Sequence, residues 1–175
     1  SESEKFAHIT FFLNGGHNRP FPGEDDVRIS SPKGIPFDQV PELSLPQVTE
    51  QVLQGIKKRY DLIVTNFANG DVIGHTANCE AKLKCAACVD AHLARVVDAA
   101  LASNYVTIIT ADHGNLENLW NVDGTPHVGH TANPVEFILI DPLLQSSVHL
   151  RDGILADIAP TALSAFVVER PAAVG

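Results

Sequence analysis

The chain has 175 residues, of which 45% are hydrophobic, and this is enough for one globular domain with a buried core. Twelve Lys and Arg residues against 21 Asp and Glu residues give a net charge of −9, which argues against binding to nucleic acid or to an anionic membrane surface. No apolar run approaches the roughly 18 residues needed to span a bilayer, and the amino terminus lacks a basic-then-apolar export signal. We therefore expect a cytoplasmic protein with no membrane partner and no nucleic-acid partner.

Strand and helix patterns alternate in the first part of the chain. Residues 8–13 (HITFFL) are typical of a strand, and residues 17–40 are rich in Gly, Pro, Asp and Ser, which indicates an ordered excursion with a short strand over residues 27–30. A helix is predicted over residues 44–58, where the opening letters SLPQ resemble a capping box with Pro in the first turn. A second strand, DLIVTNF, is predicted over residues 61–67.

The alternation continues in the second part of the chain. Apolar residues recur at helical spacing over residues 79–103, and the run VTIIT at residues 106–110 predicts a buried strand. A short helix over residues 116–120, a strand over residues 135–140 and a helix over residues 152–166 complete the pattern. Strand, helix and strand in succession predict a right-handed crossover between parallel neighbours. We therefore predict one α/β domain with a mainly parallel sheet flanked by helices.

The three cysteines lie within the helix predicted over residues 79–103. Cys85 and Cys88 have the spacing of redox and zinc motifs, but there is no second pair, and no strand immediately precedes them. Thiols packed on a helix are the favoured interpretation, and an odd number of cysteines fits a reducing compartment.

Acidic and imidazole side chains follow two of the predicted strands. Asp71 and His75 come shortly after the strand over residues 61–67, and their spacing of four residues places them on one face if a helical turn begins there. Asp112 and His113 come directly after the strand over residues 106–110. The carboxyl ends of parallel strands lie at the same edge of a sheet, where ligands bind in open α/β folds. The two pairs are therefore expected to converge.

A third polar cluster contains His127 and His130, just before the strand over residues 135–140. A single histidine there is more often structural, but three Asp and His clusters on one sheet edge favour a metal site. Mixed carboxylate and imidazole ligands suit Mn²⁺ or Zn²⁺ better than Mg²⁺. The five donors Asp71, His75, Asp112, His113 and His130 exceed what one catalytic ion with an open position needs, so two ions that clamp phosphoryl oxygens are the favoured arrangement.

The order of several long motifs makes the sequence similar to a known family. KFAHITFFLNGG, FPGEDD with SSPK, NGDVIGHT, TADHGN and HVGHTANPVEFI resemble the carboxyl-terminal segment of the cofactor-independent (2,3-bisphosphoglycerate-independent) phosphoglycerate mutases, which belong to the alkaline-phosphatase superfamily. The resemblance covers essentially the whole chain. It implies an alkaline-phosphatase-like fold and the interconversion of 3-phosphoglycerate and 2-phosphoglycerate, in glycolysis and gluconeogenesis, through a phosphoserine intermediate.

The same resemblance implies two divalent ions, with Mn²⁺ favoured and Zn²⁺, Co²⁺ and Mg²⁺ as alternatives. On the family pattern Asp71, His75 and His130 hold one ion. Asp112 and His113 hold the other.

The resemblance also assigns roles outside the ligand set. Lys5 is expected to contact the phosphate or to lie near it, as a catalytic residue, whereas His127 matches a position that is not normally a direct ligand. The nucleophilic serine, a further Asp ligand and the inserted transferase domain of the family are not in this sequence, so residues 1–175 are expected to be the carboxyl-terminal portion of a phosphatase-type domain.

Three consequences follow for the isolated chain. We expect it to bind metal poorly at Asp112 and His113, to bind it better at the first ligand set, and not to turn over phosphoglycerate. We also expect its partner to be the remainder of the same polypeptide, or a second copy across an exposed sheet edge.

Two alternatives remain open at the level of sequence. The first is another phosphomutase or hydrolase of the same superfamily, against which the FPGEDD and SSPK stretches speak. The second is a non-catalytic metal-binding fragment or degenerate copy, which the missing nucleophile supports.

Overall fold

A computed structural model of the protein describes residues 1–143 and 149–166. Over these residues the helices and strands are, in chain order, α1 (Leu45–Lys58), α2 (Asn69–Gly74), α3 (Cys79–Ala102), β1 (Thr107–Thr110), β2 (Phe137–Ile140) and α4 (Ile158–Ala165). The architecture is α/β, as the sequence predicts, and α1, α3, β1 and β2 all lie within the predicted ranges. Among the described residues, none of the helices combines the length and apolar character that a bilayer crossing needs.

The core lies where α1 and α2 pack against α3. Val52 and Ile56 of α1 meet Val96 and Ala100 of α3, because apolar residues at helical spacing face each other across the two helices. A second cluster joins α2 to α3 and consists of Leu43, Ile73, Ala81 and Cys85. Each large aliphatic side chain buried in this way contributes about 1.5–3 kcal/mol. The two clusters fix α2, the shortest of these three helices, in place.

The start of α1 is capped by a residue far away in the sequence. Ser44 does not form the predicted capping box, because its hydroxyl donates to the carbonyl of Ser30 at 2.9 Å. The backbone N–H of Ser44 instead donates to Glu2 Oε1 at 2.9 Å, which is the bond that a Gln47 side chain would accept in a capping box. Glu2 is fully buried, and burial raises the pKa of its carboxyl group. The amino terminus of the chain is thereby tied to α1.

The sheet is antiparallel, so the predicted mainly parallel sheet is wrong. β1 pairs with β2 in a register that places Thr107 opposite Ile140 and Thr110 opposite Phe137. Residues 61–67 form no strand in the part of the chain that the structure describes. The predicted right-handed crossover is absent from that part because only one of its two strands has a hydrogen-bonding neighbour.

Residues 61–67 show why the pattern was misleading. Ile63 and Phe67 pack against the cluster formed by α1 and α3, whereas Leu62 and Val64 are exposed. This alternation is typical of a strand, but a strand also needs a neighbouring backbone with which to exchange hydrogen bonds.

The segment over residues 8–13 is also different from its prediction. It forms a π-helix, His8–Phe12, in place of a strand. Local hydrogen bonds satisfy this backbone: Thr10 Oγ1 donates to the carbonyl of Phe6 at 2.8 Å, and the N–H of Asn14 donates to the carbonyl of Thr10 at 2.8 Å. A β-branched and aromatic composition favours a strand only where a neighbouring strand is available.

Three shorter predictions need correction. Residues 27–30 contribute only a single parallel bridge between Ile29 and Glu2. Residues 116–120 form no helix, because Leu116 and Glu117 lie in a turn and Trp120 makes an isolated antiparallel bridge with Pro126. The predicted helix over residues 152–166 is shorter, since only α4 and a preceding 3₁₀ turn at Leu155–Asp157 are helical.

The cysteines are packed thiols, as predicted. All three are free, and Cys85 is buried in the core, where burial raises the pKa of its thiol to about 12. A thiol in this state is inert as a nucleophile and as a metal ligand.

Candidate metal centre

The first pair of predicted ligands lies on α2. Asp71 is in the first turn of this helix, and His75 caps its carboxyl end, where the His75 backbone N–H donates to the carbonyl of Asp71 at 3.2 Å. The spacing of four residues therefore brings both side chains to one face, as predicted. Two buried residues anchor the helix: Asn69 donates through Nδ2 to the carbonyl of Pro41 at 2.9 Å, and Ile73 is completely buried.

The other histidines reach the site through the antiparallel pairing of β1 and β2. His113 lies three residues after β1 ends, and His130 lies seven residues before β2 begins. Beyond the regular ladder the same antiparallel pairing continues as a bridge between Gly114 and Thr131, in which the Thr131 N–H donates to the Gly114 carbonyl at 2.9 Å. The imidazole rings of His113 and His130 consequently stack, with their centroids 3.6 Å apart.

Three imidazoles converge on one oxygen of Asp71. The Nε2 atoms of His130, His75 and His113 lie 2.8, 3.0 and 3.7 Å from Asp71 Oδ1. The Nε2 atoms of His75 and His130 are themselves 3.1 Å apart. Asp71, His113 and His130 thus offer ligand atoms that all lie within 4.8 Å of one another.

The tautomers of His75 and His113 indicate that these two residues fit a cation. A carbonyl oxygen can only accept, so His75 Nδ1 donates to the Val128 carbonyl at 2.8 Å, and His113 Nδ1 donates to the Gly114 carbonyl at 3.3 Å. In the neutral imidazole each Nε2 is then left with a lone pair that points towards the Asp71 carboxylate. Lone pairs and a carboxylate oxygen repel each other unless a positive charge lies between them. A histidine whose Nδ1 bonds a backbone carbonyl and whose Nε2 is free has the arrangement of a metal ligand.

Lys5 keeps the Asp71 carboxylate ionised, and it contacts the oxygen that does not face the histidines. Lys5 Nζ lies 2.5 Å from Asp71 Oδ2, and the side chains of both residues are less than a fifth exposed. Burial alone would raise the pKa of Asp71, but the hydrogen bonds from Lys5 and His130 outweigh it and lower this pKa from 3.8 to about 2. Lys5 therefore lies next to Asp71, where it provides a positive charge beside the cluster, and its contact with a phosphate stays a prediction.

Asp112 lies at the edge of the cluster. Its side chain is 60% exposed, and its Oδ1 is 3.7 Å from His113 Nε2. His113 itself is closely grouped with Asp71 and His130. The division of ligands between two ions stays a prediction.

Sequence reasoning missed the polar side chains that support the loop carrying His130. Lys82 of α3 is almost fully buried, and its Nζ donates to the His127 carbonyl. Glu117 accepts from Thr131 Oγ1 and from Asn133 Nδ2, the latter at 2.9 Å. A charged residue on the apolar face of α3 was a signal for Lys82, because a lysine is buried only where its ammonium group has a partner. Nothing in the sequence pattern distinguished Glu117 or Thr131 from ordinary loop residues.

His127 is not part of the cluster. Its Nδ1 pairs with Asn121 Oδ1 at 2.8 Å, and its backbone carbonyl accepts from Lys82. Its contacts contribute to the shape of the loop, and the expectation that it is not a direct ligand stays a prediction.

The fold and the cluster of histidines around a carboxylate are those of a metal-dependent α/β enzyme. The profile of the metalloenzyme superfamily matches residues 1–170, and the chain belongs to this superfamily. Among curated proteins, the chain is 50% identical over 175 residues to a 2,3-bisphosphoglycerate-independent phosphoglycerate mutase of Syntrophotalea carbinolica, a match that covers 99% of this chain and 34% of the relative. The corresponding protein of Moorella thermoacetica is 45% identical over 172 residues, 98% of this chain and 33% of the relative.

A solved structure has the same fold. A crystal structure of Leishmania mexicana phosphoglycerate mutase at low cobalt concentration matches with a TM-score of 0.88 and 29% identity, over 98% of this chain and 35% of that chain. The chain thus spans about a third of the length of the relatives it matches, 34% in the first of them.

Proposed function

We propose that the chain carries the metal-binding part of an enzyme that interconverts 3-phosphoglycerate and 2-phosphoglycerate. The observation that carries the proposal is the convergence of three imidazole Nε2 atoms on Asp71 Oδ1. The names of the relatives support the choice of substrate, and they favour a phosphoglycerate mutase over another phosphomutase or hydrolase of the superfamily. Glycolysis and gluconeogenesis are the pathways that this reaction implies.

The residues of the cluster have separate roles in this proposal. Asp71, His75 and His130 hold a first divalent ion, and His113 lies close enough to share it or to hold a second ion together with Asp112. We favour Mn²⁺, because mixed carboxylate and imidazole ligands suit a borderline-hard ion; Co²⁺ and Zn²⁺ fit the same donors. When bound, such ions supply the positive charge that phosphoryl oxygens require during transfer.

Lys5 adds a fixed cation to the same site. Its ammonium group is held by Asp71 Oδ2 on the side of the carboxylate away from the histidines. An ammonium group in this position can hold a phosphate oxygen without displacing any of the imidazoles. We therefore assign to Lys5 the binding of the phosphate group.

The nucleophile of this proposal lies outside the chain. Within residues 1–143 and 149–166, no serine hydroxyl hydrogen-bonds to Asp71, His75, His113 or His130. Ser30 and Ser31, the serines of the SSPK stretch, belong to the polar cluster at the start of α1. The 175-residue chain alone is therefore expected to bind metal without turning over phosphoglycerate.

The exposed apolar residues of two segments support a longer polypeptide as the partner. Phe12, Leu62 and Val64 are 62%, 59% and 43% exposed, and all three lie in segments whose composition is typical of strands. Exposed apolar side chains with this composition suit burial against further chain of the same protein. Size-exclusion chromatography with light scattering tests this proposal: a species of about 18.8 kDa supports it, whereas a dimer supports self-association in its place.

A second candidate function is metal binding without catalysis. It is favoured because no serine hydroxyl of the described residues hydrogen-bonds to the cluster around Asp71. Isothermal titration of the chain with Mn²⁺ and with Co²⁺, together with an assay of 2-phosphoglycerate formation, tests both. We expect the chain to bind each ion, His130→Ala to weaken binding at least tenfold, and no turnover to be measured. His17→Ala is the control, because His17 is exposed and lies outside the cluster.

Failure to bind either ion contradicts the proposed metal site. Turnover by the purified chain that His75→Ala abolishes contradicts the position of the nucleophile outside the chain. If a longer polypeptide that contains this chain binds metal but forms no 2-phosphoglycerate, the non-catalytic alternative takes the place of the mutase.

A further inference from the structure

His113 and His130 lie on two loops, which are joined farther along by the bridge between Trp120 and Pro126 and by the bond from the His127 N–H to the Leu119 carbonyl at 3.0 Å. Next to the two histidines, two polar contacts join the loops. One is the backbone bridge between Thr131 and Gly114. The other is the side chain of Glu117, which lies on the loop of His113 and accepts hydrogen bonds from residues that follow His130. In the part of the chain that the structure describes, Glu117 has no hydrogen bond or ion pair with any of the five predicted ligands.

The Glu117 carboxylate has three donors although it is exposed. Oε1 accepts from Thr131 Oγ1 and, at 2.9 Å, from Asn133 Nδ2, while Oε2 accepts from the backbone N–H of Asn115 at 2.6 Å. An exposed carboxylate normally keeps its water ligands, so three protein donors indicate that the loops are built around it. The hydrogen bond from Thr131 is the main reason that the pKa of Glu117 falls to about 2.

Gly114 shows how closely the two loops approach each other. A Cβ atom at this position would overlap both Thr131 Oγ1 and Glu117 Oε1. Gly114 is buried, and it is the residue directly after His113. The hydrogen bonds of Glu117 therefore act at the point where the two histidine-bearing loops meet.

We propose that Glu117 is a positioning residue, which sets the separation between the His113 and His130 imidazoles by joining Asn115 to Thr131 and Asn133. The expected consequence is a higher affinity for a divalent ion, and this part of the proposal rests on the proposed metal site. Without this carboxylate, the bridge between Gly114 and Thr131 is the remaining polar contact between the loops next to the two histidines, and the stacked rings separate.

The test is a Co²⁺ titration of the full chain, followed by the absorption bands of the bound ion, together with nuclear Overhauser effects between the His113 and His130 rings in the metal-free chain. We expect Glu117→Ala to weaken Co²⁺ binding about tenfold, because mutation of residues that orient the ligands costs about 10–100-fold in affinity at other metal sites. We also expect this variant to lose the ring-to-ring effect. Glu117→Gln, which keeps one acceptor oxygen, should recover part of both.

Glu80→Ala is the matched control, because Glu80 is an exposed carboxylate whose partner is Lys84 on the same helix. If Glu117→Ala does not fold, as judged by circular dichroism, Thr131→Val removes one donor with little change of shape and is expected to give a smaller loss in the same direction.

Wild-type affinity and a wild-type ring-to-ring effect in Glu117→Ala would overturn the proposal, and so would equal losses in Glu117→Ala and Glu80→Ala. If the wild-type chain does not bind Co²⁺ at all, the proposed metal site fails. The nuclear Overhauser effects in the metal-free chain then still decide whether Glu117 positions the rings.

Discussion

The two halves of the candidate metal centre are built in different ways. Asp71 and His75 form a helical half, on α2, whose support is the apolar core beneath Ile73. His113 and His130 form a loop half, whose support is a set of hydrogen bonds between two loops that continue from β1 and β2. The geometry of the helical half is therefore determined locally, whereas that of the loop half depends on contacts between residues distant in sequence.

The largest effect is expected where the helical half is anchored. Ile73→Ala removes a completely buried side chain and should lower the free energy of unfolding by about 2–5 kcal/mol, because a cavity remains beneath α2. Urea unfolding followed by circular dichroism measures this loss. Leu83→Ala, at an exposed position of α3, should change stability by no more than about 0.5 kcal/mol. Equal losses in both variants would show that α2 does not depend on the core.

The loop half should be sensitive to added volume. Gly114→Ala places a methyl group against Thr131 and Glu117 and should cost about 1–3 kcal/mol, measured in the same way. Gly129→Ala is the control beside His130, since its nearest atom would be His127 Cε1 at 3.9 Å, an ordinary contact. Wild-type stability of Gly114→Ala would contradict the close approach of the two loops.

Acid should weaken the link between Lys5 and Asp71. The folded-state pKa of Asp71, about 2, lies below the ordinary value of 3.8. The ionised carboxylate therefore stabilises the fold above about pH 4, and this contribution is lost as the pH falls towards 2. In metal-free buffer at neutral pH, Asp71→Asn should be less stable than the wild type by about 1–2 kcal/mol, an amount that allows for solvent screening.

Unfolding curves at several pH values check this dependence. The difference in stability between the wild type and Asp71→Asn should shrink steadily between pH 4 and pH 2. A difference that does not change over this range would mean that the charge of Asp71 adds nothing to stability.

The smallest effect is expected at the second support of the His130 loop. Lys82→Met keeps the buried aliphatic part of the side chain but removes the donor to the His127 carbonyl, and it should cost about 1 kcal/mol. Thermal unfolding measures the loss, and Lys84→Met at an exposed position is the control. If the Lys84 variant loses as much stability as the Lys82 variant, the buried hydrogen bond is not what holds this loop.

The same distinction explains how much could be predicted from the sequence. Helical periodicity depends on residues three or four positions apart, so α1, α3 and the shared face of Asp71 and His75 were predicted correctly. The pairing of strands depends on which distant backbone is available, and periodicity carries no information on this point. The parallel sheet was wrong for that reason, and residues 61–67 and 8–13 are not strands in the structure.

The convergence of the site was predicted, but by a route that the structure does not use. Parallel strands were expected to bring the Asp and His clusters to one sheet edge. In the structure, α2 brings Asp71 and His75, and the antiparallel continuation between Gly114 and Thr131 brings His113 to His130. The supporting role of Glu117 could not be predicted, because it arises from contacts with loop residues 14 and 16 positions away in the chain. The position of Lys82 on the apolar face of α3 was a signal, but its partner at His127 could not be predicted.

The most direct test of the metal centre is a long-range ¹H–¹⁵N spectrum of the histidine rings during a Zn²⁺ titration. There are eight histidines in the chain, and each gives its own ring signals. We expect the Nε2 signals of His75, His113 and His130 to shift together as the ion binds, while those of His17 and His92 keep their metal-free positions. Shifts confined to histidines outside this set, or no shift at any concentration that leaves the chain folded, would contradict the assignment of a metal site around Asp71.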